Sequence, residues 1–337
     1  MKANKKKSSA AGSRAALSLG DPRPGRVVRN TGSSYTVRLD ADGSLADCRI
    51  KGNFRLKGIR TTNPVAVGDR VMVAPAEGDT QYITQILPRR NYIIRRASNL
   101  SKESHILAAN IDLAILVATL RDPATPLIFI DRFLATCEAY DVKAALVINK
   151  SDLWDELDAE LAEGMRHLYT GLGYGFLTIS AAKGEGLEAL RDITRDKVSL
   201  LAGNSGVGKS SIINRLVPDA NLRTGKISDI HHTGMHTTTF SEMIPLPYGG
   251  EIIDIPGVKG FGTIDFAPEE VSHFFPEIFD VGSGCRYADC SHTGEPGCAV
   301  IPAVEQHRIA QSRYASYLNI LEESREAEGG DKYRKPF

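Results

Sequence analysis

A chain of 337 residues, 42% hydrophobic and 24% charged, has a globular composition and room for two or three domains with separate cores. A membrane span is excluded among its apolar runs, since none approaches the ~20 residues required and LAILVATL at 113–120 is only strand-sized. The formal net charge is zero, yet residues 1–100 hold nineteen Lys and Arg against seven Asp and Glu, and the remainder is acidic by the same margin. Such asymmetry points either to a polyanionic partner or to a solvated basic tail.

The start, MKANKKKSSAAGSRAALSLG, has a charged head and no sustained apolar region behind it. Residues 1–23 are expected to be a disordered basic arm rather than a secretory signal. A cytoplasmic setting follows, in which the five cysteines are thiols or metal ligands rather than disulfides.

Residues 24–92 alternate short apolar runs with turn residues: GRVVRNTGSSYTVRLD, DCRIKGNFRL, VGDRVMVAP and QYITQIL. Closely spaced short strands with Gly and Asp-Gly turns predict a small β-barrel, an OB-like barrel being one candidate. Arg49, Lys51, Arg55, Lys57 and Arg60 sit among Tyr35 and Phe54. They form either an oligonucleotide-binding face of the OB type or a solvated sheet face.

From 96 to 264 the texture changes. IDLAILVAT, KAALVINK, FLTISA, VSLLAG and EIIDIPG are near-continuous apolar runs ending in polar or glycine residues. They predict strands buried on both faces of a largely parallel α/β sheet, crossed by helices such as IDRFLATCEAY. Residues 265–337 turn acidic and aromatic, then cysteine-rich, then helical through AVEQHRIAQSRYASYLNILEESREAE, and predict a third, α-helical domain.

The functional motifs stand at the carboxyl ends of the predicted strands, where open α/β sheets bind ligands. Gly203, Asn204, Ser205, Gly206, Val207, Gly208, Lys209 and Ser210 fit G-x-x-x-x-G-K-[ST] at every fixed position, with Ser211 beginning the helix behind them. In such a loop backbone amides wrap the phosphates, Lys209 reaches the β and γ phosphates, and the Ser210 hydroxyl meets Mg²⁺. INKSD supplies Asn149, Lys150, Ser151 and Asp152. The Asp152 carboxylate can accept the N1–H and 2-amino protons of guanine. Adenine would leave it unpaired, at a cost of roughly 1–3 kcal/mol. Ser180–Ala181 in TISAAKGEGL is placed to close over the base, and Asp254 and Gly257 of DIPG to meet Mg²⁺ and the γ-phosphate. Thr237 and Thr238 in HTGMHTTTF each offer a switch hydroxyl to Mg²⁺.

The order of these motifs is guanine loop, Ser-Ala loop, phosphate loop, threonines, Asp-x-x-Gly. Rotating that list by three restores the ordinary GTPase order, so the domain reads as circularly permuted. Chain ends commonly lie close together at a domain surface, and the site survives the rejoining. Downstream, CRYADCSHTGEPGC holds Cys285, Cys290, His292 and Cys298, three thiolates and an imidazole suited to one closed, structural tetrahedral Zn²⁺. Cys48 and Cys137 read as core filler.

Permuted order, preceding barrel and trailing cysteine cluster together resemble the RsgA (YjeQ, EngC) family of ribosome small-subunit-dependent GTPases, over about residues 24–325. The resemblance implies a slow, 30S-stimulated GTPase acting late in small-subunit maturation near the decoding region of 16S rRNA, with an OB barrel, a permuted GTPase domain and a zinc domain. It implies GTP or GDP with Mg²⁺ as ligands; a monomer with no membrane contact is expected. It favours Thr238, the second threonine of the pair, as the switch hydroxyl, and makes His236 the candidate for positioning water, a solvated loop histidine being the other reading. Val258 stands where many GTPases carry a water-orienting glutamine, Met235 where the family carries a basic residue, and Gly206 where potassium-activated GTPases carry asparagine. Two other functions remain open on the residues alone: a GTPase acting on another protein or RNA, and a nucleotide-sensing RNA-binding module with negligible turnover.

Overall fold

The computed structural model describes residues 21–32, 34–50, 64–75, 81–96, 104–220, 241–255 and 266–332. Five strands come first: β1 (Arg23–Asn30), β2 (Tyr35–Leu39), β3 (Leu45–Ile50), β4 (Arg70–Pro75) and β5 (Gln81–Ile86). On β2, Tyr35, Val37 and Leu39 turn inward while Thr36 and Arg38 turn outward, the period-two alternation of a half-buried strand. The order β1-β2-β3-β5-β4 closes through a β1–β4 pairing, so the barrel hides its own edges. Val27, Val37, Val71, Val73 and Ile83 fill it. Cys48 is part of that filling, and burial pushes its thiol up to about 11.

A hairpin absent from the sequence reading follows: β6 (Tyr92–Arg96) against β7 (Ser104–Ala109). It touches the barrel through a Val67–Ala108 bridge. Just before it, the Asn91 amide exchanges hydrogen bonds with the backbone of Ile111, at the foot of the next sheet.

That sheet contains β8 (Leu113–Ala118), β9 (Ala144–Ile148), β10 (Gly175–Thr178), β11 (Val198–Ala202), β12 (Glu242–Pro245) and β13 (Glu251–Asp254). The spatial order is β10-β9-β8-β11-β13-β12, parallel except for β12. Both faces are covered. On β8, Ala114, Leu116 and Ala118 meet helices α1 (Leu127–Ala139) and α2 (Glu156–Gly171), while Leu113, Ile115 and Val117 meet α3 (Leu187–Thr194) and α4 (Lys209–Leu216). This two-sided burial is why the runs are apolar at every position. A capping box fixes the start of α2: the Asp155 carboxylate accepts from the Asp158 amide and the Asp158 carboxylate from the Asp155 amide. From β8 the chain steps outward to β10, returns to β11 in the middle, and finishes on the opposite side. The carboxyl ends of β8 and β11 therefore flank the crevice where such sheets bind ligands.

The C-terminal region comprises a 3₁₀ turn (Pro268–Phe274) and helices α5 (Pro276–Gly282), α6 (Val300–Glu305) and α7 (Gln311–Lys332). The sequence reads as one helix from Ala303 onward, but the structure breaks it. His307 takes a left-handed φ of 57°, and Ile309 drops into the core between the two helices. That core (Phe275, Ile278, Val300, Tyr317, Ile320, Leu321) reaches Ala135 of α1, so the region is packed on the parallel sheet's own helix layer. Arg313, fully buried, sits in the seam: Nη1 donates to Asp131 of α1 at 2.9 Å, Nε donates to Glu277 at 2.6 Å, and the guanidinium lies 4.6 Å from the Phe275 ring centre. The Tyr169 hydroxyl of α2 donates to the same Asp131 oxygen at 2.9 Å.

Candidate nucleotide site and metal centre

The phosphate loop leaves β11 and enters α4 through Gly208, and its backbone is shaped by glycine. Gly203 (φ 148°) lies so near the β8 strand that a Cβ would stand 2.4 Å from the Val117 carbonyl oxygen. Gly208 (φ 97°) would place one 2.4 Å from the Asn149 amide nitrogen. Both are conformations that L side chains rarely adopt. Ser205 and Gly206 are exposed, and Val207 is buried below them. Lys209 turns its ammonium over the loop and donates to the Gly203 and Asn204 carbonyls. Burial pulls its pKa down, and the Asp254 carboxylate opposes that shift. Ser210 and Ser211 follow on the first turn of α4.

Asn149, 2% exposed, joins the loops. Its Nδ2 donates to the Val207 carbonyl at 2.8 Å, and its Oδ1 accepts from the Ala181 amide at 3.0 Å. Phosphate loop, guanine loop and Ser-Ala loop are thus bonded through one side chain. Lys150, with a left-handed φ of 67°, donates to the Asp122 carbonyl. The Ser151 amide donates to the Ile179 carbonyl at 3.1 Å. Ser180 donates its hydroxyl to Asp152 Oδ1 at 2.6 Å and accepts from the Lys183 amide, which fixes the carboxylate's orientation. Sequence reasoning missed Arg215, which reaches from α4 to the Ala181 and Ala182 carbonyls, at 3.0 and 2.6 Å, and ties the Ser-Ala loop to the phosphate-loop helix. Nothing in SSIINRL distinguishes that arginine from a solvated one.

Asp254 ends β13 beside Leu201 of β11. Its carboxylate is buried, which raises its pKa; Lys209 opposes the rise and Glu242 adds to it. Among the described residues, Asp254 Oδ1 is a buried oxygen without a hydrogen-bond partner. A buried, unsatisfied carboxylate oxygen beside the Lys209 ammonium suits a hard divalent cation such as Mg²⁺. Lys51, Phe54, Arg55, Lys57, Arg60, His231, His232, Met235, His236, Thr237, Thr238, Gly257 and Val258, and the arm before residue 21, lie outside the described residues.

The second cluster lies between α5 and α6. One donor atom each from Cys285, Cys290, His292 and Cys298 falls within 4.8 Å of the others. His292 Nδ1 is 3.5 Å from Cys285 Sγ and 3.7 Å from Cys298 Sγ. Metal–sulfur bonds of ~2.3 Å and metal–nitrogen bonds of ~2.0–2.1 Å give tetrahedral edges of about 3.5–3.8 Å, so the donor set fits Zn²⁺. Tyr314 and Tyr317 of α7 donate their hydroxyls to the His292 and Ser291 carbonyls, at 2.6 and 2.7 Å, bracing the cluster against the helix. Cys137 of α1 is buried in the core, where burial pushes its thiol up, and takes no part.

Comparison with known proteins matches this geometry. A family model described as RsgA GTPase matches residues 86–264, and one described as RsgA N-terminal domain matches residues 24–83. A Porphyromonas gingivalis protein named small ribosomal subunit biogenesis GTPase RsgA is 56% identical over 318 residues, covering 93% of this chain and 99% of that one. Among solved structures, YjeQ from Thermotoga maritima superposes with a TM-score of 0.72 at 34% identity, over 90% of this chain and 98% of that one. YloQ, described as a circularly permuted GTPase, superposes at 0.68 with 28% identity, over 94% and 97%. Likeness that spans both the barrel and the rotated sheet leaves one conclusion: the chain belongs to the RsgA family of circularly permuted GTPases.

Proposed function

We propose that this GTPase binds the small ribosomal subunit and hydrolyses GTP late in that subunit's maturation, acting as a cytoplasmic monomer that grips 16S rRNA through its barrel and C-terminal region. The printed name of the 56%-identical relative supports the partner. The basic first hundred residues support an RNA surface, whose phosphate contacts make binding fall steeply with salt. The proposed division is an arm at 1–23, barrel at 24–92, GTPase domain at 96–264 and zinc region at 265–337.

The observation that carries the nucleotide reading is the Asn149 side chain bonded at once to Val207 and Ala181, because it assembles phosphate and base recognition in one pocket. There Asp152, oriented by Ser180, reads guanine, while the backbone of Ser180 and Ala181 covers it. The amides of Gly203 through Ser210 wrap the phosphates, and Lys209 swings from the loop carbonyls to their charge. Magnesium held by Ser210, Thr238 and, through water, Asp254 would neutralise charge on the phosphate oxygens. Gly257 meets the γ-phosphate, and Val258 after it has no group to orient water. Slow intrinsic turnover follows, with His236 or a ribosomal group completing the site. Cys285, Cys290, His292 and Cys298 hold one structural Zn²⁺ with no open position.

Turnover measured with purified 30S, 50S and 70S particles tests the partner. Stimulation by 30S is expected; stimulation only by another RNA or protein, or no turnover under any condition, overturns it. Lys209→Ala is expected to lose GTP binding with metal content unchanged, and intact GTP affinity would refute the loop assignment.

A further inference from the structure

Barrel and GTPase sheet meet at the β12–β13 hairpin. Arg26 on β1 and Arg38 on β2 are direct cross-strand partners, and Arg70 on β4 stands opposite Arg26 on its other side. Like charges directly opposite one another across a ladder are destabilising. Asp40 answers Arg70 inside the barrel. Arg26 and Arg38 instead reach out of it to Glu251, the first residue of β13. Arg26 Nη1 donates to Oε2 at 2.9 Å and Arg38 Nη2 donates to Oε1, so each carboxylate oxygen is taken by a different barrel strand. The Glu251 amide donates to the Lys197 carbonyl at 2.8 Å, which fixes the residue from its backbone side as well.

Asp254 lies at the other end of β13. Across the ladder from it stands Glu242, which opens β12, and Glu242 is taken by Arg29 of β1 at 3.0 Å. β1 and β12 pair at these same two residues. Two glutamates therefore frame Asp254, one along its strand and one across from it, and barrel arginines hold both.

We propose that Glu251 and Glu242, held by Arg26, Arg38 and Arg29, are positioning residues for Asp254, so that the seating of the barrel sets how tightly the magnesium–triphosphate is bound. This rests on the reading of Asp254 as the magnesium-side carboxylate. Mg²⁺ demands near-ideal octahedral geometry, and a small displacement of its carboxylate is felt directly. The coupling is reciprocal: what the barrel does to metal–nucleotide affinity, the metal–nucleotide does to the barrel's seating.

The test uses the full chain with its zinc content verified, titrated calorimetrically with GDP and with a non-hydrolysable GTP analogue over a range of Mg²⁺. Glu251→Gln and Arg38→Gln, made separately, are each expected to raise the Mg²⁺ needed for half-maximal analogue binding about fivefold or more, with GDP affinity changed by less than about twofold. Arg38→Lys keeps the charge and is expected to restore most of the difference. Arg38 is partly exposed, so its two variants decide the matter should Glu251→Gln fail to fold. Equal loss of GDP and analogue affinity would mark a merely structural role and overturn the proposal. So would an unchanged Mg²⁺ requirement in both variants when Asp254→Asn does shift it. An unchanged requirement in Asp254→Asn itself would defeat the site reading, and the proposal with it.

Discussion

Two joints attach flanking regions to the same GTPase sheet, and they differ in how their charges are housed. At the barrel, the side chains of Arg26, Arg38 and Arg29 keep 26%, 32% and 50% of their surface in water, and the sheets share one ladder position. At the C-terminal region, Arg313 and Asp131 have none, and the seam around them is apolar. Exposed ion pairs contribute about 0–1 kcal/mol and are screened by salt, whereas breaking a buried pair costs about 3–5 kcal/mol because it strands a charge. The C-terminal region is thus one block with α1 and α2. At the barrel, half-exposed charge is added to an apolar contact, in which Val28 and Val67 enter the sheet's own core.

The largest expected effect comes from stripping the proposed zinc. Structural zinc sites carry on the order of 10–16 kcal/mol of apparent binding free energy, so a strong chelator at neutral pH should open the segment between α5 and α6 to protease. Cleavage in the barrel first would reverse the contrast between the joints. Next comes Arg313→Ala, expected to lower stability by about 3–5 kcal/mol in denaturant titration, with most of the loss recovered when Arg313, Asp131 and Glu277 are all replaced by apolar residues of similar volume. A loss below about 1 kcal/mol would show the two joints to be alike. The smallest effect belongs to Arg29→Ala, a few tenths of a kcal/mol at ~0.1 M salt and nothing measurable at ~1 M, where the screening length falls to about 3 Å. A salt-independent loss would mean that this contact is packing rather than charge.

What the sequence disclosed divides along the same line. The sheet strands were legible because burial on both faces leaves continuous apolar runs, as in LAILVA and VSLLA. The phosphate loop and guanine loop were legible because their chemistry needs fixed residue types at fixed spacing. The joints were not. Arg26 and Glu251 lie 225 residues apart, and no local pattern marks either as half of a pair. Arg313 sits in QSRYASYL, which reads as an ordinary helix with a solvated cation; its burial follows only once α1 and α5 bring two carboxylates to it. Asn149 was found, though for reading the base. That its amide joins two loops is a property of the assembled sheet. The break at His307 was hidden because histidine's preference for the left-handed region is too weak to read from a single residue.

Docking of the C-terminal region on α1 has a consequence for the Asp-x-x-Gly stretch. Ile255 is anchored in the core beneath α1, and Phe266 in the core that Ala135 of the same helix helps to form. In a chain whose domain order has been rotated, that stretch could have trailed away from the nucleotide as a free end. It is bounded instead by two residues buried against α1, so both of its ends share one helix as their footing.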